Sequence, residues 1–168
     1  CLFMPRRSAG GSILISSFAS QALALLIYNL GLWGVSYGMA ALQPDFDAAS
    51  FALACLSLYF SYFMVEVMYL AIGYLLSVFL SHSSQASAAA FAVLLASLLL
   101  GIVGGAIPAL GWMLFLSPYH YINTGLVLES AMLGAPAGVF PYALICLIFS
   151  LILGALACVR YYFKDFNV

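Results

Sequence analysis

The chain has 168 residues, of which 67% are apolar or aromatic and 5% are charged. An ordinary soluble domain carries roughly 25% charged residues, so four cations and five anions cannot cover a water-soluble fold of this length. The net charge of −1 also excludes the basic surface needed to displace counterions from nucleic-acid phosphates.

The chain opens on Cys1. The segment Cys1-Leu2-Phe3-Met4-Pro5-Arg6-Arg7 does not read as a signal peptide, because its basic pair follows too little sequence to form an n-region. The expectation is the C-terminal part of a longer protein. Gly10-Gly11 then loosens the backbone before a first apolar run, about 12–42, which Gln43-Pro44-Asp45 ends. Asp47 or Ser50 is placed to cap a second run, about 48–80, interrupted by one charge, Glu66. From Val67 to Leu128 there is no Asp, Glu, Lys or Arg. That stretch is too long for one crossing of a hydrocarbon core about 30 Å thick and long enough for two. The polar cluster Ser81-His82-Ser83-Ser84-Gln85 divides it, and a third run follows, about 86–116. Gly104-Gly105 with Pro108 is the expected break within that run. After Ser117-Pro118-Tyr119-His120-Tyr121, a short helix is expected over Thr124 to Leu133, with Asn123 as N-cap and Gly134 as C-cap. The last run, about 139–163, carries Pro141 in its first turn, where a missing N–H does least harm.

In lipid the backbone must satisfy its own hydrogen bonds, so these runs should be helices. The short alternating segments of a β-barrel are absent from the sequence. The expected fold is all-α and polytopic, a single transmembrane domain of four helices. A short extracellular or re-entrant segment is expected between the third and fourth. The aromatics Trp112, Tyr119 and Tyr121 fit either a segment dipping back into the interface or an ordinary aromatic belt.

Arg6 and Arg7 precede the first crossing, and Arg160 and Lys164 follow the fourth. An even number of crossings puts both basic ends on one side, which the positive-inside rule makes cytoplasmic. The chain is thus expected to be a multi-pass protein of the cell (inner or plasma) membrane.

Glu66 is the sharpest single residue, since an ionised carboxylate at mid-membrane costs about 2.5 kcal/mol or more. It should face other helices or a wet cavity. One reading makes it a substrate, cation or proton site; the other makes it a protonated acid bonded to a Ser or Tyr on a neighbouring helix. Tyr59, Phe60, Tyr62, Phe63, Tyr69 and Tyr74 surround it in sequence. Tyr62 and Tyr69 join it as candidates to line a translocation path, although such residues more often simply pack. Small residues four apart (Gly34 and Gly38, Ser57 and Ser61, Gly101 and Gly105, Ser150 and Gly154) predict close helix packing.

The sequence contains no GxxxxGK[ST] phosphate loop, no GxSxG elbow and no HExxH pair. His82 and His120 fall in connections on opposite faces. Cys1, Cys55, Cys146 and Cys158 form no CxxC pair and read as small hydrophobes rather than a metal or disulfide set. No catalytic residue, bound metal or cofactor of this chain is expected.

Three segments resemble the ABC-2-type permease family, the membrane subunits of ATP-binding cassette exporters. Pro5-Arg6-Arg7-Ser8 is similar to a segment preceding a long helix on the cytoplasmic side. Leu80-Ser81-His82-Ser83-Ser84-Gln85-Ala86 resembles the polar inner loop, although without the arginines often found there. Leu116-Ser117-Pro118-Tyr119-His120-Tyr121 resembles the Leu-Ser-Pro-Phe-x-Tyr segment ahead of the last helix. The resemblance implies six crossings in the whole permease, of which this chain would supply the last four. It further implies a second permease half, as a homo- or heterodimer, and separate ATPase subunits that bind and hydrolyse ATP. In that picture Pro5, Arg6, Arg7 and Ser8 couple ATPase closure to the helices. Ser117, Pro118, Tyr119, His120 and Tyr121 form an outer-face motif. The competing expectations are a non-transporting membrane scaffold and an ion-coupled carrier using Glu66.

Overall fold

The computed structural model describes residues 6–42, 47–80, 82–121 and 140–164. They form four long helices: α1, Arg6–Ala40; α2, Ala48–Phe79; α3, Ser83–Ala106; and α4, Phe140–Lys164. Two short 3-10 segments, Pro108–Leu116 and Pro118–Tyr121, follow α3. No strand occurs among the described residues. All four helices are long and apolar enough to cross a membrane, so the chain is an all-α polytopic membrane protein. The short helix expected over Thr124 to Leu133, with its caps Asn123 and Gly134, lies outside the described residues.

α2 is the hub, packing against α1, α3 and α4. It is antiparallel to α1, because residues nearly equidistant in sequence from Asp47 face each other. Ser36 meets Tyr59, Asn29 meets Glu66, and Ser17 meets Tyr74. It is parallel to α4: Cys146 joins Val65 and Met68 in the buried core, and the Arg160 guanidinium lies over the Phe79 ring, 5.4 Å from its centroid. The first part of α1 and the last part of α4 therefore share one end of the bundle, as an even number of crossings requires. Ala71 and Ala157 are fully buried, and small side chains at such positions let helices approach closely.

Outside this core the helices turn apolar side chains outward. Ile27, Val35 and Met39 on α1, Leu99 and Ile102 on α3, and Leu151 and Val159 on α4 are all exposed. A soluble monomer rarely exposes apolar surface on this scale; among lipid tails it carries no such penalty.

Several boundaries differ from those expected. α1 begins at Arg6 rather than near residue 12; Gly10-Gly11 lowers helix propensity but does not forbid the helix. α3 begins at Ser83, so Ser83, Ser84 and Gln85 of the polar cluster belong to the helix. His82 takes the N-cap position without a side-chain cap bond. Serine and glutamine are tolerated in a first turn, where backbone N–H groups have no helical partner. α3 ends at Ala106 rather than near residue 116. The residue before a proline is driven from helical to extended backbone, and Ile107 has φ −118° and ψ 107°. The same rule acts at Ser117, before Pro118, with φ −92° and ψ 119°.

The small-residue pairs are also only partly used. A Cβ added at Gly34, Gly38, Gly105 or Gly154 would meet nothing within 4 Å, whereas one at Gly101 would lie 3.1 Å from Ser117 Oγ and one at Gly104 would lie 3.0 Å from Leu114 Cγ. The close approach thus uses Gly101 and Gly104, three apart, and its partner is the returning 3-10 segment. Ser61 and Ser150 are buried, and each donates to a carbonyl of its own helix, Ser57 O and Cys146 O.

Asp47 caps α2, its carboxylate accepting from the Ala49 N–H at 3.2 Å. Hydrogen bonds from the Ser50 side chain, the Ser50 N–H and the Ala49 N–H hold its pKa below the ordinary 3.8. A depressed carboxylate pKa stabilises the fold above the unfolded value, and that contribution is lost as pH falls through the folded one. Asp47→Ala should therefore lower the melting temperature in detergent at neutral pH. The gap to the unaltered chain should begin to narrow near pH 3.8 and close as pH falls through the lower folded pKa. A gap that persists in acid would assign the effect to something other than the ionised cap.

Candidate functional site

Glu66 lies near the middle of α2, and the antiparallel register with α1 brings Asn29 opposite it. Asn29 Nδ2 donates to Glu66 Oε2 at 2.5 Å and also to the Leu25 carbonyl of its own helix at 2.9 Å. Asn29 is 4% exposed, so its amide is held where water does not compete. No buried side-chain oxygen or nitrogen among the described residues lacks a hydrogen bond. Oε1, which Asn29 leaves untaken, therefore opens outward.

It opens onto a cleft of about 450 Å³. Tyr62, Val65, Glu66, Tyr69 and Leu70 form the α2 wall, Leu25 comes from α1, Leu94 from α3, and Tyr119 from the second 3-10 segment. Tyr62, Glu66 and Tyr69 fall at i, i+4 and i+7, one face of a helix. The three candidates drawn from the sequence thus share one cavity wall. Tyr119 of the Ser117–Tyr121 motif joins them.

Tyr119 reaches this wall because the chain doubles back after α3. Ser117 is fully buried and its hydroxyl donates to the Ser97 carbonyl at 2.7 Å. Ser97 lies nine residues before Ala106, about 13 Å down the helix axis at 1.5 Å per residue. The Pro108–Leu116 segment therefore runs back along α3. Ser97 Oγ bonds the Tyr69 hydroxyl and the Leu94 carbonyl. The Tyr69 and Tyr119 rings lie 5.7 Å apart between centroids. Pro118 is buried beside Ser117, while His120 packs its ring edge-on to Phe115 at 5.6 Å. Tyr121 ends the second 3-10 segment.

The aromatic run of α2 is divided between roles. Tyr59 and Tyr74 hydrogen-bond Ser36 and Ser17 of α1 at 2.7 and 2.6 Å, and Tyr69 bonds Ser97 of α3. These three link helices, whereas Tyr62 contributes its ring to the cleft wall. The Tyr–Ser pairs were not anticipated from sequence, nor was Asn29. A signal for two of them existed in the helical hairpin, because counting outward from Asp47 along both helices pairs Ser36 with Tyr59 and Asn29 with Glu66 to within one residue.

Of the candidate coupling segment, Arg6, Arg7 and Ser8 form the first turn of α1, and Pro5 lies outside the described residues. They are at the opposite end of the bundle from the α3 break and far from the Glu66 cleft. Asn29 is 23 residues beyond Arg6, about 34 Å of helix. Cys55, Cys146 and Cys158 are free thiols, Cys146 lying in the core at 1% exposure. Among the described residues no three His, Cys, Asp or Glu side chains come together as a metal site.

The arrangement offers one acceptor oxygen, aromatic faces and apolar walls, a combination suited to holding a solute at the level of the bundle's middle. No protein-family model matches the chain, and no curated protein or solved structure does so significantly.

Proposed function

We propose that the chain is a transmembrane permease subunit of an ATP-binding cassette transporter. It would export a solute by alternating access while a separate ATPase chain binds and hydrolyses ATP. The observation that carries the reading is the Glu66 cleft, an open, partly polar cavity walled by four segments of a membrane-spanning bundle. A bundle built only to hold partners has no need of a mid-membrane carboxylate, which is expensive to keep there. The segment Leu116-Ser117-Pro118-Tyr119-His120-Tyr121, which resembles a permease motif, supplies one wall of that cleft. The apolar outer face of α1, where Gly34 and Gly38 meet no neighbour, fits contact with a second permease half.

In this reading Arg6, Arg7, Arg160 and Lys164 lie at the cytoplasmic end, following the positive-inside rule. ATPase closure acts there on the first turn of α1. The α3 break and its returning 3-10 segments then lie toward the outer face. Movement of α1 against α2 changes the cleft directly, since Asn29 and Glu66 belong to different helices.

Co-expressed with the ATP-binding subunits of its own genome and extracted in mild detergent, the chain should co-purify with one of them. Cysteines placed at Arg7 and Lys164 should be labelled from the cytoplasmic side only. A chain that stays alone beside the ATPases, or labels from opposite sides, would sink the proposal. Glu66 also favours a second reading, a gradient-driven carrier. That reading requires transport to follow an imposed proton or sodium gradient in vesicles containing no ATP.

A further inference from the structure

We propose that the Glu66 cleft binds a lipophilic organic cation, its charge against the Glu66 carboxylate and its apolar substituents against the tyrosine rings. As a transport substrate such a cation rests on the permease reading; as a ligand it requires only the cleft.

The first argument is charge. The chain has four cations, and all of them, Arg6, Arg7, Arg160 and Lys164, stand at the ends of α1 and α4. Glu66 is held by a neutral amide, Asn29, and among the described residues no cation pairs with it. A carboxylate at this depth is costly without a counter-charge, and a bound cation supplies one.

The second argument is the lining. Tyr69 and Tyr119 present rings 5.7 Å apart, and Tyr62 stands one turn from Glu66 on the same helix face. Aromatic faces attract cations, most strongly those with a diffuse, weakly hydrated charge. Leu25, Leu70 and Leu94 offer only apolar surface, which suits alkyl or aryl substituents. The third argument is what the cleft lacks. A calcium or magnesium ion takes about six or more oxygen ligands, whereas here one carboxylate stands among rings and leucines, and the Tyr69 hydroxyl is engaged with Ser97. An anionic ligand would meet a carboxylate and no cation. At about 450 Å³ the cleft falls inside the roughly 300–1,000 Å³ range of small-molecule sites.

The test is equilibrium binding of radiolabelled tetraphenylphosphonium to the purified full chain in detergent. Tetraphenylborate, of the same shape and opposite charge, is assayed for binding in separate samples, since the two ions would pair in a common solution. Saturable binding of the phosphonium and none of the borate is expected, with Glu66→Gln weakening the former by about tenfold or more. The unaltered chain gives a second readout: dicyclohexylcarbodiimide should modify Glu66, and tetraphenylphosphonium should slow that reaction. Equal binding by Glu66→Gln, saturable binding of tetraphenylborate to the same chain, or absence of protection overturns the proposal. Binding by a chain that recruits no ATPase keeps this site and removes the permease reading. An ATPase complex that binds no cation does the reverse.

Discussion

Gly104→Val should loosen the returning segment from α3 and lower stability by about 1–3 kcal/mol, the usual range for overpacking a filled site. Even a bare Cβ at this position would lie 3.0 Å from Leu114 Cγ and 3.1 Å from the Leu114 backbone nitrogen. The backbone contact matters more, because a side chain can rotate away but the segment's main chain must move as a unit. Displacing it also pulls on Ser117, whose hydroxyl is fixed to the Ser97 carbonyl, and through it on Tyr119 in the cleft wall. Gly105→Ala is the control. Nothing lies within 4 Å of a Cβ there, and replacing a helical glycine by alanine gains about 0.5–1 kcal/mol. Thermal unfolding of the two variants in the same detergent should move in opposite directions. Equal destabilisation would mean that the segment does not pack on α3 as described.

Asn29→Leu should be the most damaging single change in the α1–α2 hairpin. It removes the one donor to Glu66, and leaving a partly buried charged acceptor unsatisfied costs about 1–3 kcal/mol or more. Glu66→Gln should be mild by comparison, since an amide oxygen still accepts from Asn29 Nδ2. Replacing both residues by leucine should recover most of the loss, because apolar pairs of similar shape can substitute for buried polar ones. A double-mutant cycle on unfolding free energies measures this coupling. Additive effects would show that the two side chains do not depend on each other. The mildness of Glu66→Gln is also useful, because it separates loss of cation binding from loss of fold.

The four crossings were legible because lipid imposes a simple demand: long apolar runs with internally bonded backbones. Val67 to Leu128 contains no charge, and only its subdivision needed judgement. The pre-proline rule at Ile107 marks where α3 stops, and Gly104-Gly105 with Pro108 pointed to that place. The helix nevertheless reads as continuing to residue 116, because Pro108–Leu116 is as apolar as what precedes it and periodicity cannot separate a straight helix from one folded back on itself. Glu66 stood out by its charge. Asn29 did not, since a single amide in a long apolar run looks incidental until the hairpin register aligns it with the carboxylate. The small-residue spacing was the weakest guide: it marks where backbones can approach, and among the described residues nothing lies within 4 Å of a Cβ added at Gly34, Gly38 or Gly154.

The parallel pairing of α2 with α4 has a consequence for how the protein is made. α1 and α2 can zip together as soon as both have left the ribosome, since Ser36–Tyr59, Asn29–Glu66 and Ser17–Tyr74 join neighbours in sequence. The face of α2 carrying Val65 and Met68 has to wait for Cys146, which is synthesised some eighty residues later. During that interval the hub helix sits in the bilayer with its future contact surface uncovered. A nascent chain stalled before α4 would thus present an unfinished seam to membrane quality-control proteases, while the first hairpin behind it is already closed.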